Sequence, residues 1–90
     1  MIAPITTLEQ ALDSAYKWAN SNPTTASKGA AKVYIEAVPM AEMEGKLMYN
    51  SPAKGRAVQL LYIMSNLTGW RGEEARACKA MLKKQYAEDK

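Results

Sequence analysis

The stretch from Val58 to Leu67 leaves a helix with almost no polar side. Val58, Leu60, Leu61, Tyr62, Ile63, Met64 and Leu67 cover most of its circumference, with Gln59 and Asn66 as the amide interruptions. A helix that is apolar nearly all round is buried on more than one side. In a chain of 90 residues, which buries only about 60–65% of its unfolded surface, such a helix is either the centre of the fold or part of a subunit contact. The sequence therefore predicts an all-α protein, a small bundle of about four helices over residues 1–90 as one domain. This helix is central in it, and a homo-oligomer covers what the bundle leaves open.

Composition removes several kinds of chemistry. There is no histidine and a single cysteine, Cys78, so the commonest general base is missing, and with it any disulfide framework or cysteine-rich zinc site. Glu9, Asp13 and the Glu42/Glu44 pair show no acid/base spacing, and Ser65 and Cys78 have no histidine to activate them. Gly69-Trp70-Arg71-Gly72 lacks the length and the Lys-Ser/Thr ending of a phosphate loop. These absences predict a protein that is not an enzyme and that needs no metal or cofactor. No apolar run approaches the roughly 18 residues of a membrane span. With one thiol and no export signal at Met1-Ile2-Ala3-Pro4, the expected location is a reducing cytoplasm.

Periodicity divides the chain into four helical segments. The first is expected from Thr7 to Asn20, with Thr6 and Glu9 at capping-box spacing. The second, over 24–44, starts at Asn22 as cap and Pro23 as first residue. Residues 32–38 also read as a short strand, but a helix kinked by Pro39 explains more positions. Gly45 to Pro52 reads as a loop of turn formers. The third helix starts at Ser51-Pro52 and runs to Thr68, with Gly69 as a left-handed C-terminal residue. The fourth begins near Gly72 and ends near Tyr86 or Ala87, leaving Glu88-Asp89-Lys90 as a frayed tail. The short link between the last two predicts an antiparallel hairpin.

Charge is unevenly placed. Residues 1–45 hold three lysines against five acids, and residues 46–90 hold nine Lys/Arg against four acids, which favours anions at the C-terminal half. The turn Asn66-Leu67-Thr68-Gly69-Trp70-Arg71-Gly72 joins an indole, a guanidinium and a bare helix start. An aromatic face stacks a base, and Arg with helix N-terminal amides holds phosphate. The candidate ligand set is therefore Trp70 or Tyr62 for stacking, Arg71, Arg56 and Lys54 for phosphates, and Asn66 and Gln59 for polar edges. Each has a plainer structural use: the indole as a plug for the hairpin end, the amides as bridges inside the core. Glu73 and Glu74 would repel an anion at the same helix start. Arg76, Lys79 and Lys83 recur at i, i+3 and i+7 as a basic stripe, either a solvated face or a contact for an acidic partner.

The run Gly55-Arg56-Ala57-Val58-Gln59-Leu60-Leu61-Tyr62-Ile63-Met64-Ser65-Asn66-Leu67, followed by Trp70-Arg71-Gly72 and Ala75-Arg76, resembles small helical accessory proteins of phages and prophages over residues 53–84. The resemblance implies a host-directed role, because small phage proteins of this kind often block a defence protein or sequester a nucleotide signal of the host's immunity. It carries no binding residue with it. The leading expectation is non-enzymatic sequestration of a nucleotide-like signalling molecule. The alternatives are a protein–protein inhibitor of a host defence complex, anti-CRISPR-like in kind, and sequence-independent nucleic-acid binding. That last reading is the weakest, since Glu73 and Glu74 open the most basic helix.

Overall fold

The computed structural model describes residues 4–21 and 25–90, and its elements are five helices: α1 (Leu8–Ala19), α2 (Ala26–Glu36), α3 (Val38–Tyr49), α4 (Pro52–Ser65) and α5 (Glu73–Asp89). α1, α5, α4 and α2 each pack on the next and close a ring around the core, and α3 lies outside the ring against α4. Four helices thus make the bundle, and the chain has one more than expected. The stretch 32–38 is helical apart from the joint at Ala37.

The extra helix comes from dividing the second segment. Pro39 has no N–H to give the carbonyl of Ile35, so the α2 ladder cannot pass it. The chain turns at Ala37 and restarts with Pro39 in the first turn of α3, where a missing donor costs nothing. Thr25 starts α2 by accepting the Lys28 N–H at 3.2 Å. The expected cap and first residue, Asn22 and Pro23, lie outside the described residues. At α1 the capping box is one residue later than expected. Thr7 accepts from the Gln10 N–H, while the Gln10 side-chain oxygen accepts from the N–H groups of Thr6 and Thr7. Glutamine serves this position as well as glutamate does.

The predicted loop at 45–52 is largely helix. α3 runs on to Tyr49, and the chain reverses over Asn50, which is left-handed at φ 54°, and Ser51, which caps α4. Gly45 breaks nothing, because its role is contact. A Cβ there would fall 2.5 Å from the Gly55 nitrogen, and a Cβ at Gly55 would strike the Ala41 carbonyl oxygen. The two glycines let α3 and α4 touch backbone to backbone.

α4 ends at Ser65, three residues earlier than expected, and Gly69 is not left-handed. The positive φ falls on Gly72, at 111°, in the N-cap of α5. Leu60, Ile63 and Leu67 meet Ala75, Cys78 and Leu82 of α5 and the small face Ala11, Ala15 and Ala19 of α1 in one core. The α4–α5 hairpin is antiparallel, since Arg56 near the start of α4 reaches Asp89 at the end of α5. That pairing orders the tail: α5 continues through Asp89, whose side chain is 4% exposed. No described helix is long and apolar enough to cross a membrane.

Candidate functional site

The structure splits the seven candidate ligand residues: Trp70 and Arg71 line one groove, Gln59 and Tyr62 another, and Lys54, Arg56 and Asn66 neither. Trp70 is 7% exposed and stacks on Trp18, ring centroids 5.5 Å apart at 18°. Its carbonyl accepts the Lys79 ammonium at 2.5 Å. The indole plugs the end of the hairpin, so no face of it is open for a base. Gln59 is buried, and its amide donates to the Tyr34 carbonyl at 2.7 Å, tying α4 to α2. Asn66 closes α4 by donating to the Tyr62 carbonyl at 2.9 Å. Tyr62 remains half exposed, its ring tilted against Tyr34.

Arg56 is fully engaged. Its Nε and Nη2 donate to the two carboxylate oxygens of Asp89 at 2.5 and 2.8 Å, and its Nη1 donates to Glu42 at 2.6 Å. Burial by itself would raise the Asp89 carboxyl, but hydrogen bonds from Arg56 and Gln85, with the Arg56 charge, hold it below its ordinary value. The same bonds hold the guanidinium proton more tightly than usual. Lys54 is exposed at the start of α4. Arg71 follows the far end of that helix, roughly 20 Å away at 1.5 Å per residue. Lys54, Arg56 and Arg71 therefore do not converge.

What does converge is the turn with the basic stripe. Thr68, Trp70, Arg71, Gly72, Arg76 and Lys79 line an open groove of about 480 Å³ at the corner between α4 and α5. Arg71 and Arg76 are exposed, and neither has an ion pair among the described residues. Gly72 offers no side chain to cap α5, which leaves the first N–H groups of that helix without a side-chain cap, and Glu73 stays exposed in the same turn. Of the two acids in the first turn, Glu74 is drawn to α1, where it accepts from the Ser14 hydroxyl at 2.7 Å. Lys83 continues the stripe one turn on, exposed and outside the groove.

Set beside protein-family models, curated proteins and solved structures, the chain matches none of them. The chemistry is therefore read from the site alone. Cys78 is sealed in the core with its thiol donating to the Ala11 carbonyl at 3.0 Å, and burial, with the Glu74 charge, pushes its pKa up to about 12. At neutral pH it is a packed thiol rather than a nucleophile. Every buried side-chain nitrogen and oxygen among the described residues has a partner, so no interior donor waits for a ligand. Recognition falls to the surface.

A second surface emerges because α3 continues to Tyr49 through the expected loop at 45–52. A groove of about 240 Å³ lies between α3 and α4, lined by apolar Met48, Tyr49, Val58 and Tyr62 and by polar Glu44 and Gln59. Beside it Met40, Met43 and Leu47 stand exposed on the outer side of α3. Met40 and Met43 fall in the helix expected over 24–44, and Leu47 completes their i, i+3, i+7 stripe once α3 runs on to Tyr49.

Proposed function

We propose that this protein is a non-enzymatic binding protein that captures a phosphate-bearing, nucleotide-like small molecule at the α4–α5 corner. The observation that carries the reading is the gathering of Arg71, Arg76 and Lys79 around one groove, with neither guanidinium group paired to a carboxylate among the described residues. Guanidinium forks match phosphate oxygens bidentately, and an uncapped helix start adds backbone donors of the same sense. Thr68 lines the groove as well and could offer its hydroxyl to the ligand. Base stacking on Trp70 is no part of this reading, and Gln59, Tyr62, Lys54 and Arg56 have other duties or other places. The resemblance to phage accessory proteins makes a signal of host immunity the leading ligand class.

Isothermal titration of the whole chain against cyclic dinucleotides and ADP-ribose derivatives tests it. At least one member binds with micromolar affinity, and the double variant Arg71→Glu/Arg76→Glu weakens it at least about tenfold, or ~1.4 kcal/mol. Silence across the panel at micromolar concentrations rejects the reading. One observation favours a second reading, an acidic protein surface as the target. Lys83 extends the exposed cations beyond the groove, further than a small ligand needs. Capture of an acidic host protein that Lys83→Glu abolishes, with no small-molecule binding, would select it.

A further inference from the structure

α3 is a twelve-residue helix with two buried residues, Val38 and Gly45. α4 covers one side of it, α2 meets it at their joint, and no other described helix packs on it. The outer side of α3, turned away from α4, therefore has no described helix beyond it. That side is apolar: Leu47 is 79% exposed, Met40 and Met43 are 65% exposed. Going round α3 toward α4, the carboxylate of Glu44 and then Met48 follow, then the groove, then Val58 and Leu61 on α4, all of these side chains exposed.

With Tyr49 and Tyr62, these residues, backbone and hydroxyls included, leave on the order of 900 Å² open, against 300–600 Å² for the largest patch on a typical monomer and about 800 Å² per partner in a stable interface. The surface is the size of a dimer contact. It also has the shape of one. A two-fold interface must be self-complementary, because each patch meets its own copy. Here one continuous face carries both a ridge, Met40–Met43–Leu47, and a groove floored by Gly45 and Gly55 that admits a methionine or leucine side chain. Flexible methionines suit such a fit.

We infer that the α3–α4 face is the seat of a second copy of this chain, forming a two-fold dimer in which the α3 ridge of each subunit enters the α3–α4 groove of the other. The inference uses a different surface from the phosphate corner and stands or falls separately. Buried Gly45 and partly buried Gly55 fix the floor, and the exposed ridge provides the affinity.

Sedimentation velocity or light scattering on the purified whole chain at 1–100 μM (roughly the range over which a stable interface of this size is saturated) gives the mass directly. The expected mass is twice the chain's 9.9 kDa, and Leu47→Glu halves it with helicity unchanged, because Leu47 contributes little to the subunit's own core. Met43→Glu does the same, and Lys83→Glu on α5 leaves the dimer intact. A single-chain mass throughout overturns the inference, as does a mass above two chains, or a dimer indifferent to both ridge substitutions. A wild-type monomer that uses Leu47 to bind a different protein also overturns it.

Discussion

Arg56 shows how one side chain can be legible in kind and misread in use. A cation near the start of α4 is easy to place near an anionic ligand. Its carboxylates, Glu42 and Asp89, were concealed because one was assigned to a separate segment and the other to a loose tail. Folding brings both within 2.8 Å, and removing one partner of such a network strands the other's charge. The Asp89 carboxyl is held below its ordinary value, so the native state binds that proton more weakly than the unfolded chain. Its stabilisation is complete above about pH 4, where the unfolded carboxyl has ionised. It is lost as pH falls through the native value. Asp89→Asn should cost about 1–3 kcal/mol at pH 7 and flatten the fall in stability below about pH 4. At about 4–8 °C per kcal/mol for a domain this size, thermal melts at pH 7 and pH 3 read both effects. A neutral-pH melting temperature unchanged by the substitution would show that Arg56 needs no second carboxylate.

At the scale of the helix, caps and the apolar period carried most of the fold. α1, α4 and α5 were readable from their amphipathic or capped sequences to within a few residues, as was the antiparallel sense of the last two. The α2–α3 joint was readable as a proline effect. Gly45 was not, because a glycine that ends a helix and a glycine that lets another backbone approach look alike until the partner is known. Substitution separates the two uses. Gly29 sits within α2 with nothing within 4 Å of an added Cβ, so Gly29→Ala should stabilise by about 0.5–1 kcal/mol. Gly55→Ala also improves helix propensity, yet its methyl meets the Ala41 carbonyl on α3. Backbones must part to admit it, so the sign reverses and the expected cost is about 1–3 kcal/mol. Urea unfolding of both variants checks the pair, and a Gly55→Ala protein as stable as wild type would mean that α3 and α4 do not touch there. The site was legible in the same partial way. Trp70, Arg71, Arg76 and Lys79 were picked from sequence and do share a groove, but only tertiary packing could turn the indole inward onto Trp18.

For the molecule as a whole, the two proposed surfaces lie at different ends of α4. α3 packs on α4 where Gly45 meets Gly55, close to the start of that helix, while the basic corner follows its opposite end. If both proposals hold, pairing through α3 leaves the two corners open, and the dimer would offer one phosphate site per chain. The four-helix ring has its own core, but covering the α3–α4 face removes apolar area that the lone subunit leaves in water. Stability is then linked to association, and unfolding of a dimer into two chains becomes concentration-dependent. For a chain of this length the enthalpy of unfolding is about 0.7 kcal/mol per residue. Raising the protein concentration about a hundredfold should lift the wild-type melting temperature by roughly 5–8 °C. Leu47→Glu should melt at one temperature at every concentration, at or below the lower wild-type value, because its ring is intact and only the docking is lost. Calorimetric scans of both proteins across that range decide the matter: parallel, concentration-independent melts would mean that the exposed ridge adds nothing to the stability of the assembled protein.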